Sequence, residues 1–199
     1  AFMARVRRYS WVFFLVVIVV LVVVTVGYFW QDRQSRITSA KASELSSAIA
    51  LAETDPAAAK EQLAALAADP SNGNSVLAGF ESAELSLREG DEAVAVAALE
   101  ALASVREGDA YAKAATIFSV YSAINSGDAA TLLGKLDPLI GEDGVFTELA
   151  LELKAQVLAR DGKGAEALAV LETLLEREGL ERDLQTRAET LRDSLGSGS

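Results

Sequence analysis

Residues 90–102 read GDEAVAVAALEAL, residues 127–139 read GDAATLLGKLDPL, and residues 162–174 read GKGAEALAVLETL. The three segments start 37 and 35 residues apart and share one layout. Each opens on glycine and carries apolar side chains at helical spacing. Each then closes on two leucines three apart: Leu99 and Leu102, Leu136 and Leu139, Leu171 and Leu174. A glycine suits the end of one helix, and the aspartate in Gly90-Asp91 and Gly127-Asp128 suits the start of the next. Gly162 takes the same place, but Lys163-Gly164 follows it and the aspartate cap is absent.

The register extends in both directions. Leu63 and Leu66 lie 36 residues before Leu99 and Leu102, and Ala42, Ala78, Ala115 and Ala150 form a third column with steps of 36, 37 and 35. A small residue lets two helices approach closely, while leucines fill the seam between them. A period near 35 with a glycine turn between helices is the pattern of tetratricopeptide-type hairpins, although the Trp and Tyr signature positions of that repeat are largely absent here.

In the first pair, residues 31–53 contain no Gly or Pro, and Ala42, Leu45, Ile49 and Ala52 make one apolar stripe. Asp55 suits an N-cap and Pro56 a first helical position, so a helix is expected from Ala57 to Ala68, ending before Pro70-Ser71-Asn72-Gly73. A last helix, Arg182 to Leu195, places Leu184, Ala188, Leu191 and Leu195 on one face and charge on the other. That is the form of a capping helix. The expected architecture is all-α: a tetratricopeptide-like solenoid of four hairpins plus a C-terminal cap over residues 42–195. Residues 196–199, GSGS, read as a flexible tail or linker scar.

Ahead of this array stands WVFFLVVIVVLVVVTVGYFW, Trp11 to Trp30, without a charge. Twenty residues at about 1.5 Å each match a hydrocarbon layer of roughly 30 Å, which predicts a transmembrane helix over 11–30. Tyr9 and Trp11 at one end, with Tyr28 and Trp30 at the other, suit the two lipid interfaces. A signal peptide would carry a shorter apolar run and a small-residue cleavage site, and the exit Tyr28-Phe29-Trp30-Gln31-Asp32 is a poor one. Residues 31–41 read as a juxtamembrane helical connector. The opening at Ala1 rather than Met agrees with an upstream segment.

Charge divides at the same place. Before Ile37 there are five basic residues (Arg5, Arg7, Arg8, Arg33, Arg36) and one acid, giving +4. Beyond it stand 13 basic and 28 acidic residues, giving −15. Arg5, Arg7 and Arg8 in the short tail 1–10 favour a cytoplasmic N-terminus, with the trailing domain on the far side, in a bacterial periplasm. An acidic domain argues against nucleic acid, because neutralising phosphates needs clustered Lys and Arg.

With no histidine and no cysteine, a His-based triad, a thiol nucleophile and a typical zinc site are excluded. Gly162-Lys163-Gly164 is too short for a phosphate loop. Gly141-Glu142-Asp143-Gly144 lacks the alternating oxygen ligands of a calcium loop. Glu148 and Glu152, four apart, can sit side by side on a helix, and without a pocket they read as a solvated face rather than an acid–base pair. No catalytic, cofactor or metal site is expected, and no small-molecule substrate.

Recognition has better candidates. Tyr111, Phe118 and Tyr121 share the first helix of the third hairpin, and Phe80 and Phe146 stand in the corresponding helices on either side. First helices line one face of such arrays, where rings can grip an extended peptide or a partner helix. Aromatic residues at helical spacing also build cores, and that reading stands beside the first.

Arg8-Tyr9-Ser10-Trp11 leading into a single span, followed by degenerate helical hairpins, resembles the ancillary subunit family of the bacterial Sec translocon. Phe146-Thr147-Glu148-Leu149-Ala150-Leu151-Glu152 is similar to that family's Phe-x-x-Leu-Ala-x-Glu segment. Ser10 stands where Gly is common, and the family's acidic segment upstream of the span is absent. The resemblance implies a type II inner-membrane protein whose periplasmic scaffold associates with the Sec channel and with a membrane-anchored prolyl-isomerase-like chaperone. It implies no catalytic residues. The alternative expectation is an accessory subunit of a respiratory or photosynthetic complex, held by its span; an enzyme would require a closed polar pocket with converging carboxylates.

Overall fold

The computed structural model describes residues 43–69, 72–141 and 144–197. The span 11–30, the tail 1–10, the connector 31–41 and Ala42 lie outside them, as do Arg5, Arg7, Arg8, Tyr9, Trp11, Tyr28 and Trp30. No helix among the described residues is long and apolar enough to cross a membrane. The described residues contain no strand.

A helical stretch over 43–51, here α1, opens the described chain across the junction of two compact units at Ser46 and Ser47. The unit beginning at Ser47 continues with α2 (Pro56–Ala67), α3 (Ser75–Arg88), α4 (Glu92–Val105), α5 (Ala110–Ser122) and α6 (Ala129–Ile140). It closes with α7 (Val145–Arg160), α8 (Gly164–Leu175) and α9 (Arg182–Ser197). Among the described residues nine helices follow one another, with α9 last, which is the expected order. From α2 onward each helix packs on the next in sequence, and α5 also touches α7, and α7 touches α9. The first helices of the last hairpins therefore stand side by side, and α9 continues their row.

The repeat columns are the core. Ala78, Ala115 and Ala150 have no exposed surface, and Leu63, Leu99, Leu136 and Leu171 are as fully buried. In the third column Leu102 and Leu174 are buried, while Leu66 and Leu139 are half-buried. Burial of one such leucine contributes about 1.5–3 kcal/mol. The stripe expected in α1 is corrected at Ile49, which is exposed; Ala48 is the residue that turns fully inward.

The caps follow the sequence with two corrections. Asp55, Asp91 and Asp128 each accept a backbone N–H of the helix they open, from Ala58 at 3.1 Å, Val94 at 3.3 Å and Thr131 at 2.9 Å. Gly108-Asp109 is a further Gly-Asp step that the period of 35 hides, because it joins hairpins rather than the helices of one. Asp109 caps α5 twice, accepting from Tyr111 at 2.8 Å and Ala112 at 2.9 Å. Gly90 and Gly162 take the positive φ expected of helix-ending glycines. Gly127 does not. A Cβ there would stand 2.9 Å from the Ala123 carbonyl oxygen and 3.2 Å from both methyl carbons of Leu132. Glycine is required at 127 for close approach, not for handedness. The second correction is at the end: α9 runs to Ser197, so Gly196 and Ser197 are helical rather than a flexible tail.

Two outcomes follow. Gly127→Ala is expected to lower stability by about 1–3 kcal/mol in chemical denaturation, since neither the Ala123 carbonyl nor buried Leu132 can yield freely. The caps also set an acid limit. The Ala112 N–H on Asp109 and the Thr131 N–H on Asp128 hold both carboxyls below the ordinary aspartate value. A depressed pKa in the folded state gives stability that is present above the unfolded value, near 3.9, and is lost as pH falls through the folded one. Melting temperature should therefore fall on acidification below about pH 4, and Asp128→Asn, which still caps, should flatten that slope.

Candidate protein-docking groove

Five aromatic residues were expected to mark a recognition face, and three of them meet. Phe118 and Tyr121 of α5 face Phe146 of α7 across a groove of about 580 Å³. Ala114, Ile117, Leu149 and Leu153 complete its apolar lining, and Glu152 and Gln156 of α7 with Arg187 of α9 supply its polar side chains. Phe118 is 53% exposed and Tyr121 63%, a large apolar surface to leave open to water. Their placement follows from the helix. Ile117 and Val120 turn into the core of the third hairpin, which leaves Phe118 and Tyr121 on the outer side of the same turn. Phe146 packs its inner edge on that core and turns its other edge to the groove.

The remaining two aromatics have other tasks. Phe80 is half-buried against the core of the second hairpin and meets Phe118 edge-to-face, with ring centroids 5.6 Å apart and planes at 74°. It supports the groove wall from behind. Tyr111 lies outside the groove lining, with the Arg106 guanidinium 5.5 Å from its ring centroid and Arg106 itself bonded to Asp109 at 2.9 Å. A cation over the ring covers one face of Tyr111.

Glu152 corrects the expectation of a solvated carboxylate face. It is 6% exposed and binds Arg187 through both oxygens, to Nε at 2.7 Å and to Nη2 at 3.0 Å. Gln156 adds an amide N–H at 3.4 Å. The hydrogen bond to Glu152 is the main reason the Arg187 guanidinium holds its proton more firmly than usual. Glu148 is separately engaged, with Arg177 Nε at 3.7 Å. The two carboxylates are each taken by an arginine and do not converge on a common point. No group of acidic side chains among the described residues is placed to hold a metal ion.

The sequence held a signal for this pair. Glu44, Phe80, Ile117 and Glu152 fall in one register, with steps of 36, 37 and 35, so Glu152 stands where the two repeats before it carry an apolar side chain and the first carries an exposed Glu. Arg187 follows 35 residues later, in the next repeat step. A charge where the neighbouring repeats are apolar calls for a partner one repeat away.

An array of helical hairpins with an apolar, aromatic-walled groove along its first helices is an interaction scaffold by construction. The chain belongs to the tetratricopeptide repeat-like domain family, whose model matches residues 7–170. Domains of this family typically bind protein partners and are generally non-enzymatic. No curated protein and no solved structure matches the chain.

The ion pair gives a direct test. Arg187→Met leaves a buried carboxylate with one amide donor and is expected to cost about 2 kcal/mol, below the roughly 3–5 of a fully buried pair because Arg187 is half exposed. Glu152→Leu combined with Arg187→Met should recover most of that loss in denaturant titration, since no lone charge remains.

Proposed function

We propose that this protein is a non-enzymatic, membrane-anchored scaffold that docks protein partners in the α5/α7/α9 groove. The stretch 11–30 is its single type II span, and Arg5, Arg7 and Arg8 hold the tail on the cytoplasmic side. The helical array stands on the periplasmic face of the bacterial inner membrane. There it assists the hand-over of exported chains between the Sec translocon and a membrane-anchored periplasmic chaperone. The groove carries this reading, because open aromatic surface beside a rigid core is what a docking partner buries. Family membership supports the protein-docking part of it. The Arg8-Tyr9-Ser10-Trp11 and Phe146–Glu152 segments favour the translocon setting through the resemblance they carry. Tethering to one surface raises effective concentration, so transient hand-over needs no tight affinity.

A photo-cross-linker at Phe118 or Tyr121 in native membranes should capture translocon or chaperone subunits, and one at exposed Thr173 on α8 should not. Recovery of neither partner from the groove positions would defeat the reading. Replacing 11–30 by an unrelated apolar helix should leave the cross-links in place; their loss would favour a subunit held by its span.

A further inference from the structure

Building on the docking reading, we infer that the groove selects a partner segment whose bulky apolar side chains are flanked by lysine or arginine. Its volume, about 580 Å³, lies in the range that takes a few large side chains, and Phe118, Tyr121, Phe146 and Leu149 give it apolar walls. The polar side chains decide the charge of what enters. Arg187 is a half-exposed guanidinium at the mouth of an apolar slot, which at first sight invites a carboxylate. Its charge is already cancelled by Glu152, bound through two nitrogens. Asp183 stands one helical turn before Arg187 on α9, and Glu181 stands just ahead of the helix; both are exposed. Counting Arg182 between them, residues 152, 181, 182, 183 and 187 carry three acids and two bases, a net charge of −1. An incoming carboxylate would add to that negative excess, and an incoming ammonium or guanidinium would be attracted by it.

The surroundings point the same way. Lys154 on α7 is bonded to Asp137 at 2.8 Å, Arg177 pairs with Glu148, and Lys113 on α5 is engaged too. These basic side chains of α5, α7 and the turn after α8 are engaged, and the chain beyond Ile37 carries −15. Charge complementarity of this kind sets partner choice and encounter rate more than final affinity.

The test uses the full chain in a zwitterionic detergent, with empty micelles as the blank, and two fluorescein-labelled amphipathic helical peptides. Both carry the same Leu and Phe stripe; one is flanked by Lys and the other by Glu. The Lys peptide is expected to bind about tenfold tighter at low ionic strength, and the gap should shrink as salt shortens the Debye length. Ala114→Trp, which fills the groove, should abolish binding of both peptides. Glu181→Gln with Asp183→Asn, on the exposed start of α9, should erase the preference while lowering the melting temperature only slightly, since neutral amides at a helix N-terminus lose part of the dipole interaction without adding repulsion. If Ala114→Trp blocks both peptides yet they bind equally, the charge inference fails and the docking groove stands. If Lys-peptide binding survives Ala114→Trp, docking in this groove fails.

Discussion

Everything in the array depends on how closely consecutive helices can approach. Each hairpin has an apolar face too wide to bury alone, so its leucines must be covered by the helix that follows. That covering works only where a small side chain stands at the crossing. Ala78, Ala115 and Ala150 meet this condition with no surface left to solvent, and Leu99, Leu136 and Leu171 fill the seams. Gly79 shows how tight the contact is in the second hairpin: a Cβ added there would stand 2.9 Å from a methyl carbon of Leu102. Gly127 applies the same limit to a turn, where the chain passes against Ala123 and Leu132. Leucines supply the driving force, and absent side chains let it act.

Polar bonds then fix the register of one repeat on the next. Arg160 donates to the carbonyl oxygens of Ile124 and Gly127, the latter at 2.6 Å, and so ties the end of α7 to the end of α5. Lys135 binds Glu100 between α6 and α4, and Ser126 donates to Glu92. These bonds join residues 33 to 36 apart, about one repeat step. Most are exposed, so each contributes little to stability. Their value lies in resisting a slip along otherwise similar apolar faces. Glu152 and Arg187, 35 apart and largely shielded on the carboxylate side, are the strongest member of the set.

Helix order, the buried columns and most caps were legible in the sequence, because a repeated fold writes each constraint several times. A single Leu at 136 says little; with Leu63, Leu99 and Leu171 in register it names a core position. What was hidden was whatever occurs once. Gly108-Asp109 was missed because no other repeat has it in that register. Gly127 was read as a copy of Gly90, yet the two glycines answer different demands, one for close approach and one for positive φ. Ile49 and Ala48 differ by one step around a helix, a rotation that a short stripe cannot fix. At the site, periodicity named Phe118, Tyr121 and Phe146 as neighbours on one face. It did not separate Phe80, turned inward to support Phe118, from the rings that remain open, because that depends on how α3 meets α5.

The last helix joins these themes. A terminal repeat has no successor to cover its leucines, and α9 covers them with Leu184 and Ala188 while keeping its outer face charged. The same helix supplies Arg187 to the groove. The element that ends the array is therefore also a wall of the proposed docking groove, and the salt bridge couples the two. Were Glu152 apolar, like Phe80 and Ile117 in its register, α9 could still pack on α8 through its leucines. It would have lost the bond that fixes its face toward α7. A buried carboxylate is costly on its own, and here the Arg187 pair that offsets the cost also holds α9 against α7.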